Sequence, residues 1–273
     1  MEVFALYFSP TGNTKEVVRA LAKGIAKIVS GNDFYSIDLT AKGDRDSVYE
    51  FGPKDIVIVG MPTYAGRIPN KIEPYVSSSI YGKSALCIPV VTYGNRAFDD
   101  SLKELATILT NNEMILCGAA AVPCEHAFSS FLATNRPTDE DLSALTAFGT
   151  KLGKSILDGK NKSLKLSDIP GRDMESSQYY RPLKEDGEPA SFLKAMPKTD
   201  EGKCTGCNEC KFICPMGCFD NSVKEPEGIC IKCHGCVNVC PAGAKYFDDE
   251  DLKSHIKMLE KNYGSEENDI LLI

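Results

Sequence analysis

Basic residues are scarce in this sequence relative to acidic ones. Its 31 Lys and Arg residues are outnumbered by 38 Asp and Glu residues, which gives a formal net charge of -7 over 273 residues. Binding to nucleic acid depends on Lys and Arg that neutralise phosphates, so this balance argues against nucleic acid as the main partner. With 42% hydrophobic residues, the chain has the composition of an ordinary globular protein.

Long apolar runs are also missing. No stretch approaches the roughly 20 residues that a membrane-spanning helix needs. Residues 1–8 carry no positively charged region and are followed by a polar segment, which does not fit a secretory signal. We therefore expect a cytoplasmic protein with no membrane span.

Cysteine is unevenly distributed along the chain. Nine of the twelve cysteines lie between Cys204 and Cys240. Because a reducing cytosol keeps thiols free, we expect metal or redox chemistry there rather than disulfides. Cys87, Cys117 and Cys124 lie in or beside apolar runs and are expected in the core.

The change in composition near residue 200 predicts a domain boundary. We expect a first domain over residues 1–160 and a cysteine-rich domain over residues 198–248. Residues 161–197 are rich in Pro, Gly and charge, which is typical of an extended connector. Residues 249–273 are predicted to form a charged surface helix and an apolar tail that packs on the body or on a partner.

Apolar runs alternate with helical periodicity in the first domain. The runs cover residues 3–8, 56–59, 85–91 and 114–122. This alternation predicts an α/β fold with a doubly wound parallel sheet of about five strands. Ligands of such sheets bind outside the carboxyl ends of the strands, so the loops that follow these runs are the candidate site.

Three of these loops have distinctive residues. Residues 9–14 combine hydroxyls, a glycine and the start of a helix, which together can hold a phosphate dianion without a cation. A Walker loop and a dinucleotide fingerprint are both missing. Tyr64 and Tyr93 each stand near a glycine after a strand, where a flat ligand can stack. The candidate contacts are Ser9, Thr11, Gly12, Asn13 and Thr14; Thr63, Tyr64, Ala65, Gly66 and Arg67; and Thr92, Tyr93, Gly94 and Asn95.

Over residues 1–158 the S-x-T-G-x-T loop and the two aromatic-glycine loops resemble those of the flavodoxins. The resemblance implies a flavodoxin-like fold and FMN, with its phosphate on residues 9–14 and its ring between Tyr64 and Tyr93. Gly66 or Gly94 would supply backbone groups to the ring edge. Arg67 would favour an anionic reduced flavin by Coulomb attraction. The alternative for Arg67 is an ion pair directed away from the flavin.

The cysteine-rich domain contains an internal repeat. Cys204-x2-Cys207-x2-Cys210-x3-Cys214-Pro215 recurs 26 residues later as Cys230-x2-Cys233-x2-Cys236-x3-Cys240-Pro241. This run is typical of bacterial ferredoxins with two [4Fe-4S] clusters, and thiolates suit iron because they are soft donors. Zinc is the structural alternative. The resemblance implies a small α+β ferredoxin-like domain in which each cluster takes three ligands from one repeat and one from the other. One ligand set is Cys204, Cys207, Cys210 and Cys240, and the other is Cys230, Cys233, Cys236 and Cys214.

Taken whole, the chain resembles the fused flavodoxin/ferredoxin proteins of anaerobic microbes. The resemblance implies electron transfer between FMN and two [4Fe-4S] clusters, coupling one- and two-electron carriers, with redox partner proteins as donor or acceptor. The alternative is an FMN-dependent reductase of a small molecule that is fed through its own ferredoxin domain. An open flavin edge would favour the carrier, and a separate lined pocket over the ring would favour the reductase. Redox sensing is less favoured because no output module is recognisable.

The chain has only three histidines. Glu125 and His126 follow the fifth predicted strand, where they either relay a proton to the reduced flavin or form a salt-bridged loop that holds the iron-sulfur domain. His234 stands inside the second cysteine loop, where it can donate a hydrogen bond to cluster sulfur. His255 is expected on the surface.

Overall fold

The computed structural model describes all 273 residues, and strands alternate with helices through the first 160 of them. The strands are β1 (Glu2–Tyr7), β2 (Tyr35–Asp38), β3 (Tyr49–Glu50), β4 (Asp55–Pro62), β5 (Ile80–Tyr81), β6 (Leu86–Tyr93), β7 (Ile115–Leu116), β8 (Ala120–Pro123), β9 (Lys198–Thr199), β10 (Lys245–Tyr246) and β11 (Leu271–Leu272). The α-helices are α1 (Asn13–Val29), α2 (Glu73–Ser79), α3 (Ser101–Asn111), α4 (Asp139–Leu157), α5 (Glu209–Phe212), α6 (Gly235–Asn238) and α7 (Glu250–Tyr263). None of the helices combines the length and the apolar character that a transmembrane span requires.

The main sheet has the strand order of a flavodoxin-like fold. Five of its parallel strands run β2-β1-β4-β6-β8, which is the order 2-1-3-4-5 when they are counted along the chain. The register places Leu6 of β1 between Ile37 of β2 and Val59 of β4. The predicted doubly wound α/β fold of the first domain is therefore confirmed.

Alternation along the strands explains why both faces of the sheet are covered. Val3, Ala5 and Tyr7 of β1 pack into a core with α1 and α4, whereas Leu6 and its neighbour Phe8 pack into a second core with α2 and α3. Successive side chains of a strand point to opposite faces, so an apolar run of this kind is buried on both sides.

The strand count differs from the prediction, because the main sheet has seven strands rather than five. The apolar run 114–122 is interrupted near Gly118 and forms two short strands, β7 and β8. The apolar tail also adds a strand, since β11 pairs antiparallel with β8 and places Leu271 opposite Ala121. A two-residue strand is too short to give a sequence pattern of its own, which explains why the prediction missed it.

The cysteine repeat is also a repeat of backbone conformation. Helices α5 and α6 start at equivalent positions, 26 residues apart. Residues with positive φ recur at the same offset, as the pairs Gly206 and Lys232, Asn208 and His234, and Gly217 and Gly243. The short antiparallel pair β9-β10 brings the two ends of this region together.

Helix α7 forms where the sequence predicts a charged surface helix. Asp249 caps its first turn by accepting a hydrogen bond from the backbone N–H of Leu252 at 2.9 Å. One face of the helix is buried, including Leu252, His255 and Leu259. The assignment of His255 to the surface is therefore wrong, because this side chain is only 5% exposed.

Candidate functional site

A cavity of about 590 Å³ lies at the carboxyl ends of β4, β6 and β8. All three predicted loops contribute to its wall. The predicted residues that line it are Thr11, Asn13, Thr14, Thr63, Tyr64, Ala65, Gly66, Thr92, Tyr93 and Gly94. The strand order brings these loops together, as expected for a doubly wound sheet.

Three predicted residues lie behind this wall and shape it instead. Ser9 Oγ accepts a hydrogen bond from the backbone N–H of Lys15 at 3.0 Å, and Gly12 adopts a φ of 96° that permits the turn. Asn95 is 2% exposed, and its Nδ2 donates to the carbonyls of Tyr263 and Glu266. Asn95 therefore ties the end of α7 to the sheet rather than facing the cavity.

The first loop presents free backbone donors at the start of α1. The N–H groups of Thr11, Asn13 and Thr14 donate to no other protein group. The hydroxyls of Thr14 and Thr92 are hydrogen-bonded to each other at 2.7 Å, which joins this loop to the end of β6. Free N–H groups at the start of a 17-residue helix fit a phosphate by hydrogen bonding and by the helix dipole.

The second loop is a tight turn between Tyr64 and Arg67. Their backbones exchange two hydrogen bonds, and the two residues between them, Ala65 and Gly66, have φ values of 50° and 81°. The N–H groups of Ala65 and Gly66 donate to no other protein group, so they are available to a ligand. The Ala65 carbonyl is occupied, because it accepts a hydrogen bond from the backbone N–H of Tyr180 at 2.8 Å.

Arg67 does not reach the cavity. Its guanidinium forms an ion pair with Glu104, donates to Ser177 Oγ at 3.2 Å and lies over the ring of Tyr179. The hydrogen bond to Glu104 also raises the pKa of Arg67. Its charge is compensated by Glu104, which argues against an effect of Arg67 on the flavin. The alternative, an ion pair directed away from the site, describes the contact.

A second, smaller cavity of about 20 Å³ is lined by cysteines. Four of them are one predicted ligand set, namely Cys214, Cys230, Cys233 and Cys236, and Cys218 is the fifth. Backbone N–H groups donate to two of these sulfurs, to Cys214 Sγ at 3.3 Å and to Cys230 Sγ at 3.4 Å. Hydrogen bonding, first from Cys218, lowers the pKa of both thiols and so favours the thiolate form that binds iron.

The other predicted ligand set is more exposed. Burial raises the pKa of Cys210, and the nearby Cys207 and Cys240 raise it further. Cys207 is exposed, and Cys204 is half-buried. No group of three or more Cys, His, Asp or Glu side chains surrounds a single-ion site. The thiolates of a cubane each bind a different iron, so a cluster needs its sulfurs farther apart than a single ion does.

The two cavities share a wall. Residues 229–232 of the cysteine-rich region line the large cavity, and Cys230 lines both. Tyr64 lies beside the same wall: burial raises its pKa well above the usual value, and the nearby Cys233 and Cys230 raise it further. The equivalent loop of the first repeat faces outward, since Cys207 is exposed whereas Cys233 is 8% exposed.

A row of four rings in contact also joins the two cavities. His126 and Phe128 line the large cavity, and His234 and Phe247 line the small one. The ring centroids are 4.8 Å apart for His126 and Phe128, 4.5 Å for Phe128 and His234, and 4.5 Å for His234 and Phe247. His234 Nε2 is buried without a hydrogen-bond partner, so a donor or an acceptor is available beside the cysteines.

Glu125 and His126 hold their own loop. Glu125 accepts a hydrogen bond from the backbone N–H of Asn135 at 2.9 Å, and His126 Nδ1 accepts one from the backbone N–H of Phe128 at 3.0 Å. Burial lowers the pKa of His126 to about 3, which keeps the ring neutral near pH 7. These contacts favour the structural role over the proton relay.

Several residues that line the cavity are absent from the predicted ligand contacts. Tyr180 and Phe192 come from the connector, and His255 and Leu259 come from α7. The connector is held in place by Asp100, which accepts hydrogen bonds from Arg172 and Ser177. These contacts join residues more than 70 positions apart, so only the fold reveals them.

Comparison with protein-family models finds no match for this chain, and comparison with curated proteins finds none either. Among solved structures, a flavodoxin from the domain Archaea has 15% identity and a TM-score of 0.42, covering 57% of this chain and 99% of its own. The flavodiiron core from Synechocystis has 20% identity and a TM-score of 0.42, covering 58% of this chain and 36% of its own. A short-chain flavodoxin associated with a bacterial microcompartment has 13% identity and a TM-score of 0.40, covering 59% of this chain and 100% of its own.

The first 160 residues of the chain have a flavodoxin-like fold. This conclusion comes from the strand order and from the three loops at one edge of the sheet.

Proposed function

We propose that this chain is an electron-transfer flavo-iron-sulfur protein. In this proposal, FMN binds in the large cavity and each predicted ligand set holds one [4Fe-4S] cluster. When bound, FMN exchanges one or two electrons and each cluster exchanges one, so the protein couples two-electron and one-electron carriers.

The FMN part of the proposal depends on the donors around the large cavity. The free N–H groups of Thr11, Asn13 and Thr14 suit the phosphate, and those of Ala65 and Gly66 suit the polar edge of the ring. Tyr64 and Tyr93 both line the cavity, although Tyr93 is only 7% exposed and packs edge-on against Phe98. The walls are mixed apolar and polar, as in most cofactor sites.

The cluster part of the proposal depends on the donor chemistry of the small cavity. Four thiols of one predicted set line it together, which supports the exchange of Cys214 between the two repeats. Backbone N–H groups that donate to ligand sulfurs are one of the means by which proteins tune cluster potentials. Ala244 N–H donates to Cys240 Sγ at 3.2 Å, as Cys218 N–H does to Cys214 Sγ at 3.3 Å, so both repeats offer this contact.

The observation that carries the proposal is that Cys230 lines both cavities. It supports an order of transfer in which the cluster of Cys230, Cys233, Cys236 and Cys214 exchanges electrons with FMN. The cluster on the exposed side, with Cys207, then exchanges electrons with a redox partner protein. A ferredoxin-type donor or a downstream reductase fits this role, and the missing dinucleotide fingerprint argues against NAD(P)H as the direct donor.

The repeat supplies a matched pair of variants for a test. Cys233→Ala and Cys207→Ala make the same change at equivalent positions of the two repeats. Anaerobic stopped-flow would follow flavin and cluster absorbance separately. We expect Cys207→Ala to retain rapid exchange between FMN and the remaining cluster, and Cys233→Ala to lose most of it. Iron and FMN analysis identifies which groups each variant retains. Equal rates in the two variants, or purified protein that lacks either group, would contradict the proposal.

The second candidate function, a flavin-dependent reductase, is favoured by one observation. The large cavity is also lined by Tyr180 and Phe192 of the connector and by His255 of α7. The flavodoxin-like unit contributes none of these residues. A lined compartment of this kind is expected if a small molecule approaches the flavin.

A further inference from the structure

The part of the large cavity that is built by the connector and α7 has aromatic walls. Phe192 stacks on His255 with ring centroids 5.5 Å apart and an interplanar angle of 28°, and Tyr180 lies 6.3 Å from His255. The guanidinium of Arg96 lies 3.9 Å from the centroid of the Tyr180 ring, a cation–π contact that helps to hold this ring in place. Flat walls of this kind suit a planar molecule.

His255 presents a hydrogen-bond acceptor to this compartment. Its Nδ1 lies 2.8 Å from the carbonyl of Leu183, and because a carbonyl only accepts, Nδ1 carries the proton. Burial lowers the pKa of His255, so the ring is neutral near pH 7 and Nε2 holds a lone pair. The side chain is 95% buried, yet Nε2 has no protein partner and is not fully enclosed by protein atoms.

His126 presents the opposite group. Its Nδ1 accepts a hydrogen bond from the backbone N–H of Phe128, so in the neutral ring the proton is on Nε2. No protein group accepts from Nε2, and the side chain lines the same cavity. Both rings line the large cavity, His126 from the flavodoxin-like unit and His255 from α7. The cavity therefore contains a fixed imidazole donor and a fixed imidazole acceptor.

We propose that the large cavity binds, between these two imidazoles, a planar conjugated molecule with a hydroxyl at one end and a carbonyl at the other. The hydroxyl donates to His255 Nε2, the carbonyl accepts from His126 Nε2, and the ring lies against the aromatic wall that Tyr180 and Phe192 form. The inference rests on the proposed function in one respect, namely that FMN fills the part of the cavity beside the three flavodoxin-like loops.

A matched pair of probes tests whether His255 Nε2 accepts a hydrogen bond from the ligand. 4-Hydroxyacetophenone carries both groups, whereas 4-methoxyacetophenone keeps the carbonyl and lacks the donor. Titration of each into the oxidised, FMN-loaded full chain would follow the flavin absorbance. We expect the hydroxy probe to bind about tenfold more tightly, as is typical of one additional hydrogen bond in a buried site.

Two variants test the proposed contacts of the probe with His255 and His126. His255→Phe keeps a flat ring against Phe192 and removes the acceptor, so the preference for the hydroxy probe should fall to about one. His126→Phe removes the donor and should weaken both probes equally. FMN and iron contents are measured in every preparation, so a protein without FMN counts against the proposed function and not against the subsite.

Three results would overturn the inference. They are equal affinity of the wild-type protein for the two probes, an unchanged preference in His255→Phe, and no binding of either probe to protein that contains FMN. A loss of FMN affinity in His255→Phe without any probe preference in the wild type would mean that the two imidazoles bind the flavin ring itself.

Discussion

The hydrogen-bonding roles of His126 and His255 are each set by one backbone group that contacts the ring. His126 faces an N–H, that of Phe128, and His255 faces a carbonyl, that of Leu183. The two rings therefore carry their protons on different nitrogens, although the sequence contains the same residue at both positions. No sequence pattern encodes this difference, because the carbonyl of Leu183 comes from a segment 72 residues away from His255.

We predict that His126 makes the free energy of unfolding depend on pH. An unfolded histidine titrates near 6.5, whereas the pKa of folded His126 is about 3. Between these values the unfolded chain binds more protons, so stability falls as pH falls. Between pH 7.5 and pH 5.5 this group should remove about 1.4 kcal/mol from the free energy of unfolding.

Denaturant unfolding at the two pH values would measure this loss. The control is His126→Gln, whose side-chain oxygen can still accept the Phe128 N–H and which does not titrate. The variant should lose about 1.4 kcal/mol less than the wild-type protein. The same loss in both proteins would show that His126 titrates as an ordinary exposed histidine.

Among the elements, those with long periodic patterns could be predicted from the sequence. The strands β1, β4, β6 and β8, helix α1, and the loops around Tyr64 and Tyr93 follow from apolar runs and from the loop residues that succeed them. Strand β2 does not, because its four residues are mostly exposed. The partners of Arg67 and Asn95 could not be predicted, because Glu104 and the end of α7 reach them only through the fold. The sequence of α7 predicts a charged surface helix because only a narrow face of this helix is buried.

We predict that Asp100 fixes the connector to the first domain. Asp100 is 3% exposed, and it accepts from the Arg172 backbone N–H at 2.8 Å and from Ser177 Oγ at 2.6 Å. Although burial opposes the charge, these hydrogen bonds lower the pKa of Asp100. Asp100→Asn removes the charge from both contacts, and hydrogen bonds to charged groups contribute about 1.5–3 kcal/mol.

Chymotrypsin cleavage after Tyr179 or Tyr180 would report on this attachment. We expect cleavage of Asp100→Asn to be about tenfold faster than that of the wild type, since local opening becomes easier. Glu175→Gln is the matched control, because Glu175 lies in the same segment and its side chain is exposed. A cleavage rate that is equal in all three proteins would mean that other contacts hold the connector.

For the molecule as a whole, the two domains should differ in their response to loss of iron. Residues 1–160 have two large apolar cores, whereas the core of the cysteine-rich region has four buried residues, three of them cysteines. Removal of iron should therefore unfold the cysteine-rich region and leave the first domain folded. FMN should also bind more weakly, because residues 229–232 form part of the wall of its cavity.

Anaerobic chelation followed by thermal unfolding and by titration with FMN would measure both effects. The control is the same treatment with a chelator already saturated with iron. We expect one transition to disappear, one to remain, and the Kd for FMN to rise at least several-fold. An unchanged Kd would show that the cysteine-rich region adds nothing to flavin retention.

Strand β11 changes how the cysteine-rich region is attached. Leu271 and Leu272 return to β8, so this region is linked to the flavodoxin-like sheet through both of its flanks rather than through one. Such an insertion cannot swing out on a single hinge, and its effective concentration beside the flavin cavity stays high. During synthesis on the ribosome, the sheet also receives its edge strand only after every cysteine has been translated, so completion of the first domain awaits the second.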